Sequence, residues 1–431
     1  MIRYVDNKHK FSAVVDSRQV SEVPLPARHR VERHGAIRLG TGYEMRIIAR
    51  LFALFDMHPV GYYDLSVVGF PLHATAFRPL TSSALAQNPF RVFTSVLRRE
   101  LLPADARQLV DTVLSKRNLF TKRLMGLLEK AEKERFLAKE DENELMTEAL
   151  EIFRWHSTAN VSQSDYVAMS AAHPMVADIA SFPSAHINHL TPRTLDIDEV
   201  QETMARKHMP YKDRIEGPPR RQCSILLRQT SFRALEEQVR FIDQTGQTVD
   251  GHHTARFGEV EQRGAALTKQ GRKLYDEFLR QANTNAAANG GSEQDYQNAL
   301  HRAFRDFPDN WADLRSQKLV FFRYSAPANR PQTSKHAKVR KLSELLEEES
   351  VQYERIIYED FLPISAAGIF TSNLKGASHK TVCEGENGDI SLLEQCIGTK
   401  IMDPTTLYEE MENESLKQCC DLLGLDHITL D

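Results

Sequence analysis

The stretch HTARFGEVEQRG, residues 253–264, indicates how the chain is organised. Successive side chains of a β-strand point to opposite faces. Four side chains therefore share one face of the predicted strand: Phe257, Glu259, Glu261 and Arg263. A face with two carboxylates and an arginine differs from ordinary core, although a solvated edge strand also carries charged residues. Other parts of the chain are needed to separate these two interpretations.

The composition is that of an ordinary globular protein. The 431 residues carry a net charge of −4, which gives no reason to expect nucleic acid or a membrane surface as a partner. No apolar run approaches the roughly 20 residues of a membrane span, and the first thirty residues lack the apolar core of a signal peptide. The five cysteines, an odd and sparse set without zinc-type spacing, fit reduced thiols and predict a cytoplasmic protein.

Two segments of the chain repeat the same residues at one offset. His34 and Arg38 correspond to His189 and Arg193, since 189 − 34 and 193 − 38 are both 155. Residues four apart on a strand point to the same side, so each histidine shares a face with its arginine. The spacing favours two related strands.

Helix-start signals and strand runs occur in the same frame. The capping-box pattern Thr41–Glu44 precedes a predicted helix at 45–57, and Asp196–Glu199 repeats the signal 155 residues later. The run TAFRPL at 75–80 corresponds to TSFRAL at 230–235, again at an offset of 155. We therefore predict a duplicated strand-helix-strand-strand module.

The sequence predicts five regions. They are an irregular lead-in (1–30), the start of the first module (31–82), a mostly helical insertion (83–180), the second module (181–266), and a C-terminal region of helices, strands and mobile loops that complete the pocket (267–431). Within the last region, the Asn- and Gly-rich stretch at 283–291 predicts a loop between two helices.

The repeat also suggests a metal site. Two histidines at equivalent positions of a duplicated unit, His34 and His189, would face each other, and Glu259 would complete a set of two imidazoles and one carboxylate. Such a set leaves adjacent coordination positions open, which suits ferrous iron, O2 and a chelating 2-oxo acid. Arg38, on the face of a metal ligand, suits a carboxylate clamp.

Each of these residues also has a structural interpretation, because a lone histidine beside a glycine is more often a satisfied structural residue. Four further histidines are candidates for either role: His73, His186, His252 and His253. His186 is three residues from His189, so on a strand it would face the opposite side. Glu261 shares its face with Glu259, and spacing does not choose between them.

Several motifs resemble known families. The segment EVEQR at 259–263, and His189 followed by Asp196 and Ile197, resemble the metal-binding segments of 4-hydroxyphenylpyruvate dioxygenase. A resemblance to the 2-oxoadipate dioxygenase/decarboxylase family covers nearly the whole chain. It is carried by ERHGAIR (32–38), HINHLTPRTLDID (186–198), EGPPRR (216–221), ARFGE (255–259) and EDFLP (359–363).

The resemblance implies an α+β fold of the vicinal oxygen chelate superfamily, in which paired βαβββ modules form a half-open β-barrel around a metal, here with a large helical insertion. The residues it implies are the iron(II) ligands His34, His189 and Glu259, and the substrate-binding residues His34, Arg38, His189, Ile364 and Ser365, of which Arg38 is also catalytic. Ile364 stands where the family usually has valine, and we expect little effect. The segment before Glu32 is shorter than is usual in the family.

The implied reaction converts 2-oxoadipate and O2 to 2-hydroxyglutarate and CO2, late in lysine breakdown. Its partners are the 2-oxo acid and O2, with no separate 2-oxoglutarate, no nucleic acid and no membrane. Two other classes stay open. One is a redox-neutral isomerase or lyase of the glyoxalase type, for which Glu261 is a candidate base. The other is a non-catalytic metal-binding protein. Oxygen dependence separates the first two classes.

Overall fold

The computed structural model describes Arg28 and residues 31–187, 190–212, 214–232, 235–243, 245–256, 258–288, 292–328, 338–362 and 390–430. These residues form a mixed structure of helices and strands, which confirms the predicted α+β class. The strands are β1 (Arg33–Leu39), β2 (His58–Asp64), β3 (Leu72–Arg78), β4 (Phe90–Leu97), β5 (Leu190–Pro192), β6 (Leu227–Ser231), β7 (Leu235–Ile242), β8 (Thr248–Arg256), β9 (Glu259–Arg263), β10 (Phe322–Ser325), β11 (Val339–Lys341), β12 (Gln352–Arg355) and β13 (His427–Thr429).

The α-helices are α1 (Gly42–Ala53), α2 (Ser82–Gln87), α3 (Ala104–Lys116), α4 (Lys122–Glu134), α5 (Lys139–Ile152), α6 (Gln163–Ala172), α7 (Pro174–Ser181), α8 (Ile197–Arg206), α9 (Lys269–Ala288), α10 (Glu293–Ala303), α11 (Trp311–Ser316), α12 (Leu342–Glu347), α13 (Ile390–Ile397) and α14 (Pro404–Leu423). The chain divides into two units. Unit 1 comprises Met1–Lys212, Gln229–Glu261 and Phe361–Ile401, and unit 2 comprises Asp213–Arg228, Gln262–Asp360 and Met402–Asp431.

Unit 1 is built on a five-stranded sheet with the order β2-β3-β4-β1-β5. Strand β1 runs parallel to β4, and the other neighbouring strands are antiparallel. Strand β3 is buried throughout, and β1 and β4 are buried beyond their first residues. Near-continuous burial of this kind is typical of a sheet that is covered on both faces.

The two faces of this sheet pack into different hydrophobic clusters. Ala36 of β1 belongs to a cluster that includes Phe361, whereas Ile37 belongs to a second cluster that includes the apolar side of α1. Because side chains alternate along a strand, His34 and Arg38 lie on the same face as Ala36. The two predicted site residues of β1 therefore point toward the first cluster.

Helix α1 begins at the predicted capping box. The side chain of Thr41 accepts a hydrogen bond from the backbone of Glu44, whose carboxylate accepts in turn from the backbone of Thr41. Arg117 also pairs with Glu44, at 2.7 Å. The helix ends at Ala53, earlier than predicted, because the chain turns at Asp56, where φ is 55°.

The stretch at 253–264, which we predicted to be one strand, is divided between two. Strand β8 ends at Arg256 and β9 begins at Glu259, and Phe257 lies outside the described residues. Gly258 lies at this break and packs closely against Phe232. Its carbonyl accepts a hydrogen bond from the backbone of Phe232, and a Cβ added at Gly258 would lie 2.6 Å from the Phe232 ring.

The repeated segments adjoin at their strands. Strands β1 and β5 are antiparallel neighbours, and each is followed by a helix, with Thr41 and Asp196 at the two N-caps. The correspondence is interrupted after α8 and resumes at β6, which begins at Leu227, 155 positions after the start of β3 at Leu72. Residues 213–219 stand 155 positions after β2, and no strand lies within the described part of that range, 214–219. The complete βαβββ pairing therefore stays a prediction.

Two segments differ locally from the sequence prediction. Residues 83–180 contain helices α3 to α7 but also β4, whose sequence FRVFTSVL is rich in aromatic and β-branched residues that favour a strand. Helix α9 continues to Ala288, into the stretch where a loop was predicted. Its buried Ala282 and Ala286 combine high helix propensity with packing.

Unit 2 contains the antiparallel pair β10–β12, the parallel pair β11–β13 and the long helices α9 and α14. The first turn of α9 lies close to Leu319, since a Cβ added at Gly271 would lie 2.0 Å from the carbonyl oxygen of Leu319. Arg263 is buried in this unit and donates to the carbonyl oxygens of Tyr358 and Asp360. Among the helices that the structure describes, none is long and apolar enough to cross a membrane.

Candidate functional site

His34 of β1 lies buried in unit 1 between two carboxylates of β9. Its Nδ1 is 2.7 Å from Oε2 of Glu261, and its Nε2 is 3.3 Å from Oε2 of Glu259. All three side chains have 0% of their surface exposed. A single imidazole thus has a carboxylate at each ring nitrogen.

The period of a β-strand explains this arrangement. Glu259 and Glu261 are two residues apart, so both carboxylates project from the same face of β9, as the sequence predicted. Spacing alone left the two glutamates equivalent. The structure separates them, because Glu261 contacts Nδ1 of His34 whereas Glu259 faces Nε2.

Strand β5 supplies a further contact to Glu259. In the antiparallel pairing of β1 with β5, Thr191 lies directly opposite His34. The hydroxyl of Thr191 donates to Oε2 of Glu259 at 3.0 Å, and Thr191 is fully buried. The Glu259 carboxylate is therefore held from β5 while it faces the imidazole.

The two glutamates set the electrostatics of His34. Burial alone would lower the pKa of this imidazole, but Glu261 and Glu259 outweigh burial and raise the pKa above its ordinary value of 6.5. The surroundings of His34 therefore favour a positive charge between the carboxylates.

The donor set fits a divalent metal. Imidazole nitrogen and carboxylate oxygen bind such ions at about 2.0–2.2 Å, so two donors at right angles lie about 3 Å apart. The 3.3 Å between Nε2 of His34 and Oε2 of Glu259 is close to this spacing. The contact of Nδ1 with Glu261 leaves Nε2 as the ligand atom, and a carboxylate in this position orients metal-bound imidazoles. No complete set of three ligands occurs within the described residues, and the third predicted ligand, His189, lies outside them.

An aromatic wall borders His34. The ring of Phe361 stands edge-on to the imidazole, with centroids 5.0 Å apart, and Phe93 packs against Phe361. The backbone N–H of Phe361 donates to the hydroxyl oxygen of Tyr63 at 3.3 Å. The buried rings of Phe361, Phe93 and Tyr63 keep bulk water away from this side of the imidazole.

Arg38, the predicted substrate clamp, pairs with a carboxylate of the chain. Its Nη1 donates to Oδ2 of Asp178 at 2.7 Å, and both side chains are buried. Asp178 lies in α7. The guanidinium therefore faces an anion, which is compatible with a clamp that holds one fixed and one bound carboxylate.

Asp178 is the centre of a wider polar network. Its Oδ1 is 3.1 Å from Nε2 of His253 and 3.5 Å from Nε2 of His186. The other ring nitrogen of His253, Nδ1, is 2.8 Å from the hydroxyl of Tyr166. Burial would raise the pKa of Asp178, but Arg38 and the two histidines hold it well below its ordinary value of 3.8. Asp178 is therefore ionised at neutral pH.

The other candidate histidines occupy different places. His186 and His253 belong to the network around Asp178, where Trp155 packs against both imidazole rings. His73 is buried on β3 beside the ring of Tyr62, whereas His252 is exposed on β8.

Arg193, the counterpart of Arg38 in the repeat, binds a different partner. Its Nη1 donates to Oε2 of Glu32 at 3.0 Å, and Nη2 of Arg91 donates to the other carboxylate oxygen at 2.9 Å. Glu32 is fully buried next to the start of β1. These two ion pairs link the start of β1 to the start of β4 and to the end of β5.

The structure thus brings His34 and Glu259 together, as predicted, and places Arg38 on the same face of β1. His189, Ile364 and Ser365 lie outside the described residues, so their roles stay predictions. Sequence analysis missed three contributors: Thr191, Asp178 and Phe361. Signals existed for two of them, since Thr191 stands two residues after His189 and Phe361 belongs to the EDFLP motif. Asp178 carries no local signal.

The chain is similar to known proteins over most of its length. A family model for 2-oxoadipate dioxygenase/decarboxylase matches residues 4–373. The chain is 46% identical over 402 residues to a 2-oxoadipate dioxygenase/decarboxylase of Pseudomonas putida, covering 91% of this chain and 85% of that protein. It is 47% identical over 398 residues to the protein of the same name from Escherichia coli K12, with 91% and 86% covered.

A solved structure is similar over almost the entire chain. The crystal structure of the hydroxyglutarate synthase in complex with 2-oxoadipate from Pseudomonas putida has a TM-score of 0.84 and 40% sequence identity, and the match covers 98% of this chain and 92% of that chain.

Proposed function

Because this chain belongs to the 2-oxoadipate dioxygenase/decarboxylase family, we propose that it converts 2-oxoadipate and O2 to 2-hydroxyglutarate and CO2 with iron(II) as its cofactor. The reaction balances, since the carboxylate next to the keto group leaves as CO2 and both oxygen atoms of O2 enter 2-hydroxyglutarate. The observation that carries the proposal is the buried imidazole of His34, with Nε2 facing Glu259 and Nδ1 on Glu261.

In this proposal Nε2 of His34 and Oε2 of Glu259 hold the metal, together with His189. Iron(II), when bound, would act as a Lewis acid and activate O2, while the oxidation of the 2-oxo acid supplies the electrons that reduce O2. Glu261 keeps His34 in the tautomer that presents Nε2. Thr191 fixes the Glu259 carboxylate through its hydroxyl.

The remaining residues bind and shield the substrate. Arg38 binds a substrate carboxylate, for which a guanidinium is suited by its planar fork of donors. The contact with Asp178 holds this guanidinium at the face of β1 that also presents His34. Phe361 shields the imidazole from water, and the chain continues from it toward Ile364 and Ser365, which we propose line the pocket.

The proposed function also implies a specific fold within the α+β class. We propose paired βαβββ modules of the vicinal oxygen chelate type that form a half-open barrel around the metal. The antiparallel pairing of β1 with β5 and the capped helices after both strands support this arrangement. We also propose a cytoplasmic location and a role in lysine breakdown, on the family resemblance.

The geometry gives less support to the redox-neutral alternative. A glyoxalase-type isomerase or lyase needs a carboxylate base near the metal, and Glu261 was the candidate. Glu261 instead contacts Nδ1 of His34 at 2.7 Å, which is an orienting role.

The test is oxygen uptake by anaerobically purified, iron(II)-loaded protein on addition of 2-oxoadipate. We expect one CO2 for each O2 consumed, and none from His34→Ala. The matched control His252→Ala removes an exposed imidazole and should behave as wild type. Consumption of 2-oxoadipate without oxygen uptake would replace the proposal with the isomerase or lyase. No turnover by a metal-loaded protein would leave the non-catalytic alternative.

A further inference from the structure

The carboxylate of Asp178 accepts hydrogen bonds from side chains on separate elements of unit 1. Arg38 reaches Oδ2 from β1 at 2.7 Å, and His253 reaches Oδ1 from β8 at 3.1 Å. Tyr166 of α6 then contacts Nδ1 of His253 at 2.8 Å. Arg38, Asp178 and His253 are each less than 8% exposed. The chain of contacts therefore runs from a partly buried hydroxyl inward to the guanidinium.

The direction of these hydrogen bonds follows from the chemistry of the groups. An ionised carboxylate only accepts, so Nε2 of His253 carries the proton and Nδ1 accepts from the hydroxyl of Tyr166. Burial and the charge of Asp178 raise the pKa of Tyr166, which keeps that hydroxyl protonated. Trp155 stacks on the imidazole at 5.8 Å with an interplanar angle of 17°, and Phe182 packs at 4.8 Å. These contacts fix both the tautomer and the plane of His253.

The cluster does not have the character of a second metal site. Nε2 of His186 lies 3.5 Å from Asp178, so two imidazoles and one carboxylate occur together. However, the permanently charged guanidinium of Arg38 occupies the other carboxylate oxygen and repels a metal cation. No group of three ligands suited to a metal occurs in the part of the chain that the structure describes.

We propose that Asp178 positions Arg38 for the substrate carboxylate, and that His253 and Tyr166 hold Asp178 in the orientation that this requires. The inference rests on the proposed function, because it assigns a purpose to the guanidinium that binds substrate. Asp178, His253 and Tyr166 are positioning residues that act through Arg38.

The proposal predicts an unusual division between binding and turnover. In Asp178→Asn the charge of Arg38 loses its fixed counterion, so an anionic substrate should bind at least as tightly as before. The guanidinium also loses its fixed direction, and a displacement of about 1 Å at a reacting group costs up to about 100-fold in rate. We therefore expect an unchanged or smaller Kd for 2-oxoadipate and a kcat at least tenfold lower. Arg38→Ala should instead raise Kd, because it removes the binding group.

The experiment measures the Kd of 2-oxoadipate under anaerobic conditions, and kcat from oxygen uptake, on iron(II)-loaded protein. The variants are Asp178→Asn, Arg38→Ala and the double variant, each with its iron content and Tm. Asp111→Asn is the matched control, because it alters an exposed aspartate that pairs with Arg99 at 2.5 Å. The double variant should resemble Arg38→Ala alone, since Asp178 acts only through that arginine.

A second series keeps the test valid if Asp178→Asn does not fold. Tyr166→Phe removes one hydroxyl and keeps the ring, and His253→Gln retains an N–H donor that His253→Phe lacks. We expect the smallest loss of kcat in Tyr166→Phe, a larger loss in His253→Gln and the largest in His253→Phe. The Kd for 2-oxoadipate should not rise in any of the three variants. A kcat within twofold of wild type in every folded variant would overturn the proposal, as would a Kd that rises in step with a falling Tm. If wild-type protein does not turn over 2-oxoadipate, the proposed function itself has failed.

Discussion

Glu261→Gln tests how the site would hold the proposed metal. The substitution preserves the shape of the side chain but removes the negative charge that contacts Nδ1 of His34 at 2.7 Å. The glutamine amide can also donate to Nδ1, which moves the imidazole proton to Nε2 and blocks the ligand atom. A glutamine therefore weakens the site through both charge and tautomer.

The size of this effect follows from the typical strength of such a contact and from its burial. A hydrogen bond to a charged group contributes about 1.5–3 kcal/mol, and loss of such a partner typically lowers metal affinity by about 10–100-fold. Solvent does not screen the contact, since both side chains are fully buried. We expect Glu261→Gln to bind Fe(II) or Mn(II) about 10–100-fold more weakly than wild type.

The assay is an anaerobic titration of metal-free protein with Fe(II) or Mn(II) in competition with a chromophoric chelator. Glu259→Gln removes a proposed ligand and should lose more affinity than Glu261→Gln. Glu236→Gln changes an exposed residue of β7 and should bind metal as wild type does. Wild-type affinity in Glu261→Gln would refute the orienting role. If Glu259→Gln kept near-normal metal affinity and Glu261→Gln lost it, Glu261 would be the ligand and Glu259 the residue that orients His34.

Two further predictions concern stability. Glu32→Gln leaves the buried guanidinium of Arg91 without its 2.9 Å counterion, so we expect the free energy of unfolding in urea to fall by about 3–5 kcal/mol. The control Glu132→Gln breaks an exposed pair with Arg50 and should cost about 1 kcal/mol or less, and equal losses would contradict the argument. Folding lowers the pKa of Asp178, so its ionised carboxylate stabilises the folded state at pH values above 3.8, the ordinary pKa of an aspartate. This contribution is lost as the pH falls through the lower pKa of the folded state. The difference in unfolding free energy between wild type and Asp178→Asn should therefore be constant near neutral pH and shrink below about pH 4, and a pH-independent difference would be the contrary result.

Local signals predicted the elements that carry the site. The capping pattern at Thr41 and Glu44 marked the start of α1, and Asp196 marked the start of α8. The alternation of β9 placed Glu259 and Glu261 on one face, which the structure confirms. These predictions succeeded because capping and strand alternation depend on neighbouring residues only.

Other features depend on contacts between distant parts of the chain. Spacing did not separate Glu259 from Glu261, because the difference lies in which nitrogen of His34 each one faces. The partner of Arg38 was also hidden, since Asp178 lies 140 positions away in a helix with no distinguishing motif. The close packing of the Phe232 ring on Gly258 is likewise a contact between positions that the sequence pattern does not relate.

The positions of the proposed metal ligands along the chain have a consequence for biosynthesis. His34 and Glu259 are 225 positions apart, and Phe361, whose ring covers the imidazole, comes later still. A ribosome must therefore translate more than half of the chain before the first two proposed ligands coexist, and long-range strand pairing must follow before they meet. Under the proposed function the metal binds only after β9 has been synthesised and has paired, so a nascent or prematurely terminated chain that lacks β9 should carry His34 without binding the metal.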